Sequence, residues 1–343
     1  MSDHFTHRVL PYDGVEEFLG GTVPFLSAGV EAGDRVLAVC GTARETLLRD
    51  ALGSAASAVE FTDAATWYAH PSRTLADFLG AAGRAAGRGR RLRLLGEPVW
   101  ASRSPLEVVE WQRTEALLNI ALLDTGASVM CPYAATLPAA VIASGRRTHP
   151  ETVRGTRALA NPGFVDPWTF CARCDAEPLP APPPDADTLP IDARPDLYWL
   201  RAYVTECARQ TPLPEEDLQR LLVAVTEVVT NALRHGEPPL TLRMWTDAAD
   251  GASALVCEVT DEGRWPPGAG HGLLPPRPAG TASGGRFGLW AVRLLCSAVQ
   301  IRTGEGGTAV RLRHDLPRTD RSTCTEREDF HAPGFHHLPC GVR

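Results

Sequence analysis

The sequence predicts two α/β domains in tandem, joined by a proline-rich connection and followed by a polar tail. Three observations carry this. The chain has 343 residues, more than one average domain uses, and 44% of them are apolar, enough for two cores. Strand-like apolar runs alternate with helix-period stretches in both halves. Between the halves, EPLPAPPPDADTLP (177–190) is proline-rich and has no apolar period. Proline lacks an N–H and fixes φ, so this stretch is expected to form neither a helix nor an inner strand and reads as a semi-rigid linker. The expected units are a domain at 1–176, the linker, a domain at 191–316 and a disordered tail at 317–343.

Within the first unit, RVLAVC (35–40) and RLRLLG (91–96) read as buried strands. ETLLRDALG and VVEWQRTEALLNIALLD (108–124) read as helices. The basic run RGRRLRLL (88–95) enters a strand and reads as a solvated edge. Cys171 and Cys174 have CxxC spacing, and Cys324, His331, His336, His337 and Cys340 lie in the tail. No second CxxC or compact Cys/His spacing supports a zinc site among them.

The second unit opens with a long helix, LPEEDLQRLLVAVTEVVTNALRHG (213–236). Pro214 and three acids suit its start, and Gly236 suits its end. Leu218, Leu221, Leu222, Val225, Val228, Val229 and Ala232 fall on one arc. Glu227, Asn231 and His235, at i, i+4 and i+8, form a separate polar stripe beside it. Two strands follow. PLTLRMWT (239–246) alternates Leu240, Leu242 and Met244 with polar positions, and SALVCEVTD (253–261) ends at Asp261, close to Gly263. A strand-end carboxylate beside glycine is an acceptor that a ligand amino group can approach. Residues 264–286 are dense in glycine and proline and read as a lid. FGLWAVRLLCSA then reads as a helix starting just after Gly288, a position where backbone N–H groups meet phosphate. A hairpin around EGG closes the unit, with Thr308 beginning the last strand.

Four boxes in this order, EVVTNALRH (227–235), DEG (261–263), GGRFGL (284–289) and GGT (306–308), make the segment resemble the GHKL (Bergerat-fold) ATPases. Among these it is most similar to the RsbW-type anti-sigma serine kinases. The resemblance implies an α/β sandwich that binds ATP with Mg²⁺. It assigns Asn231 to the metal and Glu227 to general-base work on a serine hydroxyl. Asp261 would take the adenine amino group, with Gly263 allowing close approach. Gly285, Gly288 and Leu289 would lie at the phosphates, with His235 and Thr308 near the nucleotide. It also implies a sigma factor or a STAS-type anti-anti-sigma protein as partner, and related modules pair through their sheets, so a homodimer fits. The same module without turnover would be an ATP-bound, partner-sequestering protein. Residues 191–212 contain no histidine, which argues against an autophosphorylating histidine kinase.

The first unit resembles the MEDS sensory domain. The likeness rests on residues 5–42 and on FTDAATWYAHP (61–71), LLGEPVW (94–100), EWQRTEALLN (110–119), MCPYAATLP (130–138) and RTHPE (147–151). It implies a RecA-like α/β fold that senses a small molecule or other signal. VCGTARETLL (39–48) stands where a P-loop would be but lacks Gly-Lys-Ser/Thr, so no ATP hydrolysis is expected there. His7, Trp67, Tyr68, Glu97, Glu115, Tyr133 and His149 are candidate pocket residues, with packing the favoured role for each. The net charge of −7 and pI of about 5.8 supply no basic footprint, so nucleic acid and anionic membrane are not expected partners. MSDHFTHRVLPYDG lacks a signal-peptide pattern and no run is long enough to span a bilayer, so a cytoplasmic setting is expected. The nine cysteines are accordingly expected to be reduced thiols.

Overall fold

The computed structural model describes residues 4–192, 195–249, 252–265, 272–276 and 286–317. Gly285, most of the lid and the tail lie outside them. In chain order the first domain contains β1 (Thr6–Tyr12), α1 (Gly14–Glu31), β2 (Arg35–Cys40), α2 (Thr42–Leu52), β3 (Val59–Asp63), α3 (Ala64–Trp67), α4 (Pro71–Ala86) and β4 (Leu92–Gly96). It continues with α5 (Pro105–Ala121), β5 (Ser128–Ala134), α6 (Ala139–Thr148), β6 (Glu151–Arg154), β7 (Arg157–Ala160) and α7 (Pro167–Cys174).

Its seven strands lie in the order β3-β2-β4-β5-β1-β6-β7, parallel except for the β6–β7 pair. Helices cover both faces, which is why the strands read as near-continuous apolar runs. The strand period of two splits β2 between two cores. Leu37 and Val39 join Leu75, Phe78 and Trp111 on one side, while Val36, Ala38 and Cys40 join Phe18, Leu26 and Leu48 on the other. Helix α5 starts at a capping box: Ser104 Oγ accepts from Glu107 N, and Glu107 in turn accepts from Ser104 N at 2.8 Å. This helix begins three residues earlier than its apolar run suggested, because Pro105 extends it by its first turn. It is buried on several sides, so Glu110, Arg113, Glu115 and Asn119 are forced inside and must find partners there.

The second domain contains β8 (Asp187–Ile191), α8 (Leu197–Arg209), α9 (Glu215–His235), β9 (Leu240–Ala249), β10 (Ala252–Asp261), α10 (Arg286–Leu295), β11 (Ala298–Gly304) and β12 (Gly307–Asp315). Its sheet is antiparallel throughout, in the order β11-β12-β10-β9-β8. Helices α8, α9 and α10 cover one face, and Leu242, Met244, Cys257, Val259 and Leu312 meet Val225, Val229 and Val292 there. The apolar arc read from residues 218–232 is the buried face of α9.

Two expectations need correction. Residues 187–190, read as linker, form most of β8. They pair with β9 at the sheet edge, where Pro190 costs no ladder hydrogen bond on the open side. Helix α10 begins at Arg286, so Gly288 lies inside its first turn instead of before it.

Candidate functional site

The polar stripe of α9 faces α10. Asn231 Nδ2 donates to Glu227 Oε1 at 3.2 Å, which orients both side chains. Asn231 is buried, and its Oδ1 accepts no hydrogen bond among the described residues. The first turn of α10 lies directly on this pair. A Cβ on Gly288 would sit 1.8 Å from Glu227 Oε1, so glycine is what admits the approach. Leu289 packs partly buried against the second domain's core, and its backbone touches Gly272, whose φ is +69°. His235, the third member of the stripe, is exposed and makes no hydrogen bond among the described residues.

Asp261 ends β10 beside the C-terminal end of α9 and is 5% exposed. Its Oδ1 accepts from Gly263 N at 2.8 Å and from Glu237 N at 3.4 Å. Burial raises its carboxyl above the ordinary carboxylate value, and these two N–H groups oppose the rise. Neighbouring backbone crowds the carboxylate: a Cβ on Gly236 would be 2.6 Å from Oδ1, and one on Gly263 2.8 Å. Gly307 has φ +91° and passes so close that its Cβ would be 2.1 Å from the Asp261 carbonyl oxygen. Thr308 stands opposite Asp261 in the β10–β12 register. Its buried hydroxyl donates to Gly263 O at 2.7 Å and lies 3.1 Å from Thr303 Oγ1. It therefore fixes the turn that holds Asp261. Gly236 ends α9 five residues after Asn231, so Asp261 and Asn231 are offset by roughly 7–8 Å along the helix axis.

Helix α10 also joins the two domains. Its Trp290, with Leu273, is buried in the first domain's core beside Phe78 and Trp111. His70 Nε2 hydrogen-bonds Cys296 O at 2.9 Å, and Arg73 donates to Leu294 O at 3.1 Å. Arg113 makes two bonds to Asp175, at 2.8 and 2.9 Å, and Arg302 reaches the same carboxylate at 2.7 Å. Although burial works against it, these guanidinium groups hold the Asp175 carboxyl below its ordinary value. No local sequence signal marks this network, because its members come from α5, the end of α7 and β11.

The first-domain candidates divide. His7, Glu115 and His149 meet in the interior, together with Cys131, which the sequence reading did not single out. Tyr133 packs edge-on to His149 at 5.7 Å. Tyr68 and Trp67 pack against Trp111 and Phe78. Glu97 lies apart, accepting from Tyr12 Oη at 2.9 Å near Arg44. Cys171 and Cys174 share α7 as free thiols. Burial pushes the Cys171 thiol up to about 12, which argues against a reactive pair.

Residues 6–150 match the MEDS family model, the methanogen/methylotroph, DcmR sensory domain, and residues 190–314 match the histidine kinase-like ATPase domain. No curated protein sequence matches the chain. Among solved structures, the RsbU and RsbW domains of Rv1364c from Mycobacterium tuberculosis are similar at 21% identity and a TM-score of 0.29. That match covers 39% of this chain and 34% of the other. No helix among the described residues is long and apolar enough to cross a membrane. The chain thus carries a MEDS sensory domain followed by a histidine kinase-like ATPase domain, and the latter implies ATP binding.

Proposed function

We propose that the second domain binds ATP with Mg²⁺ and transfers phosphate to a serine of a STAS-type anti-anti-sigma partner, under control of the MEDS domain. The observation that carries this reading is the paired Glu227 and Asn231 under the first turn of α10, with the buried Asp261 at the C-terminal end of the same helix. In this reading the second Asp261 oxygen accepts from the adenine amino group. Gly236 and Gly263 let the backbone close around that carboxylate and hold it in place. Asn231 Oδ1, a hard oxygen left free by the bond its own Nδ2 makes to Glu227, suits Mg²⁺, which neutralises charge on the phosphates. Glu227 takes the proton of the incoming hydroxyl. Backbone N–H groups at the start of α10 supply the anion-binding end of a helix.

The path of α10 supports control by the first domain. One end lies on Glu227, and the other is bonded to His70 and Arg73. A signal that moves α4 or α5 therefore reaches the nucleotide face through one rigid helix. A second reading, an ATP-bound module that sequesters a sigma factor without turnover, is favoured by the close cover that Gly288 places over Glu227. Glu227→Gln separates the two. It should leave ATP affinity intact and remove transfer of labelled phosphate to a captured partner. A wild-type protein that holds ATP and a sigma factor yet never labels any partner establishes the second reading.

A further inference from the structure

Four side chains from distant parts of the first domain converge in its interior. They are His7 on β1, Glu115 on α5, Cys131 on β5 and His149 just after α6. All are buried, with exposures of 1%, 3%, 0% and 0%. His149 Nε2 lies 3.0 Å from Glu115 Oε2, and His7 Nε2 lies 3.7 Å from the same oxygen. Cys131 Sγ is 3.6 Å from His7 Nε2. Glu115 Oε2 and His149 Nε2 make no hydrogen bond of acceptable geometry despite their complete burial.

The far side of each imidazole is fixed. Asn119 Nδ2 donates to Ala116 O and Thr148 O, at 3.0 and 2.8 Å, so its Oδ1 must face His7. That oxygen is 3.2 Å from His7 Nδ1, which is therefore the N–H donor. His149 Nδ1 is 2.8 Å from Gly145 O, a carbonyl that can only accept. In their neutral forms these rings turn Nε2 lone pairs inward, His149 toward Glu115 Oε2 and His7 toward Cys131 Sγ and Glu115 Oε2. A Cys131 S–H can satisfy His7 Nε2, but the 3.0 Å approach of His149 Nε2 to Glu115 Oε2 needs a proton or a metal ion between the two lone pairs. Histidine tied through Nδ1 with Nε2 directed inward is the arrangement that metal-binding proteins use to orient the ring.

We propose that this quartet is a zinc site, with His7 Nε2, His149 Nε2, Glu115 Oε2 and Cys131 Sγ as its four ligands. Zinc bonds of about 2.0–2.3 Å at the tetrahedral angle put neighbouring ligand atoms about 3.3–3.7 Å apart; three of the six pairs stand at 3.0, 3.6 and 3.7 Å, and all four atoms lie within 4.8 Å of one another. The charge also balances. Two neutral imidazoles, one carboxylate and one thiolate cancel a divalent cation, so the buried site is neutral. On binding, the Cys131 thiol gives its proton to solvent. Four protein ligands leave no open position, which marks the ion as structural. Its ligands tie two strands to α5, the helix that also carries Glu110 and Arg113 toward the second domain.

The test uses the full chain, purified without chelator from zinc-supplemented cells, with metal content measured by plasma mass spectrometry. Cobalt exchanged into the protein serves as an optical probe. The expected results are one zinc per chain, a thiolate-to-cobalt charge-transfer band and the intense visible bands of four-coordinate cobalt. Cys131→Ser and Glu115→Gln, both close in shape to the native residues, should each lower bound zinc at least tenfold, and Cys131→Ser should remove the charge-transfer band. Asn119→Ala should weaken zinc affinity by about 10- to 100-fold. If the variants do not fold, the wild-type protein decides: zinc should raise its melting temperature and a chelator should lower it. A folded wild-type chain with no zinc and only six-coordinate cobalt would overturn the proposal, leaving a proton shared between Glu115 and His149. Full zinc retention in Cys131→Ser and Glu115→Gln would also overturn it, since the metal would then sit on Cys171 and Cys174 or on the tail.

Discussion

Asp261→Asn separates nucleotide recognition from folding with a change of one heavy atom. The Oδ1 that accepts from Gly263 and Glu237 N–H groups is retained in asparagine, so the turn survives. The second oxygen becomes an NH₂ group. An adenine amino group then meets a donor where it needs an acceptor. A hydrogen bond to a charged group is worth about 1.5–3 kcal/mol, so ATP affinity should fall by about 10- to 150-fold. Stability should move the other way. Burial raises the folded-state pKa of Asp261, so its protonated form is favoured in the folded chain. Such a group stabilises most below its unfolded-state pKa, and that contribution is lost as pH rises through the folded-state value. At neutral pH the wild type therefore carries a buried charge that the asparagine variant lacks. Titration calorimetry with ATP·Mg²⁺ and urea melts between pH 4 and pH 8 read both effects. Unchanged ATP affinity in a folded Asp261→Asn protein would refute the adenine assignment, and equal pH slopes for the two proteins would refute the charge argument.

Glu227→Gln keeps the acceptor for Asn231 Nδ2. Phosphate transfer to a partner should fall by about 10²- to 10⁴-fold with ATP binding unchanged, as a filter assay with labelled ATP would record. Thr308→Val strips the donor from the buried Gly263 carbonyl and should cost about 1–3 kcal/mol in a urea melt. Gly307→Ala forces a Cβ to within 2.1 Å of Asp261 O at a φ of +91°, so backbone must move. Its expected loss is about 1–3 kcal/mol, again by urea melt, accompanied by weaker ATP binding. Arg113 and Arg302 hold the Asp175 carboxyl below its ordinary value, so its stabilising contribution is present above the unfolded-state pKa and is lost as pH falls through the folded-state value. Acid should therefore loosen the contact between the domains, an expansion that small-angle scattering would detect and that Asp175→Asn should produce at neutral pH.

The second domain was largely legible in the sequence because its signals are local. The 3.6-residue period of 218–232 buries one face of α9, and the alternation of Leu240, Leu242 and Met244 buries one face of β9. Asp261 was marked by its position at a strand end next to glycine. The start of α10 was misplaced because glycines at 284, 285 and 288 resemble a loop, yet Gly288 is needed inside the helix to clear Glu227. Strand β8 was hidden by proline, which an edge tolerates. The buried quartet was legible only in pieces. His7, Glu115 and His149 stood out as separate polar residues. Cys131 lay inside the apolar strand run 128–134 and looked like core. Long-range pairing of β1 with β5 brings them together, and no spacing along the chain records that. The contacts of α10 with α4 and of α5 with Asp175 were unreadable for the same reason.

The central claim is that a single nucleotide spans Asp261 and Asn231. A crystal structure of the full chain with a non-hydrolysable ATP analogue and Mg²⁺ tests it most directly. The account predicts the adenine amino group on the Asp261 carboxylate, the metal on Asn231 Oδ1 and the phosphates at the first turn of α10. A nucleotide bound elsewhere, or an adenine with no contact to Asp261, would contradict it.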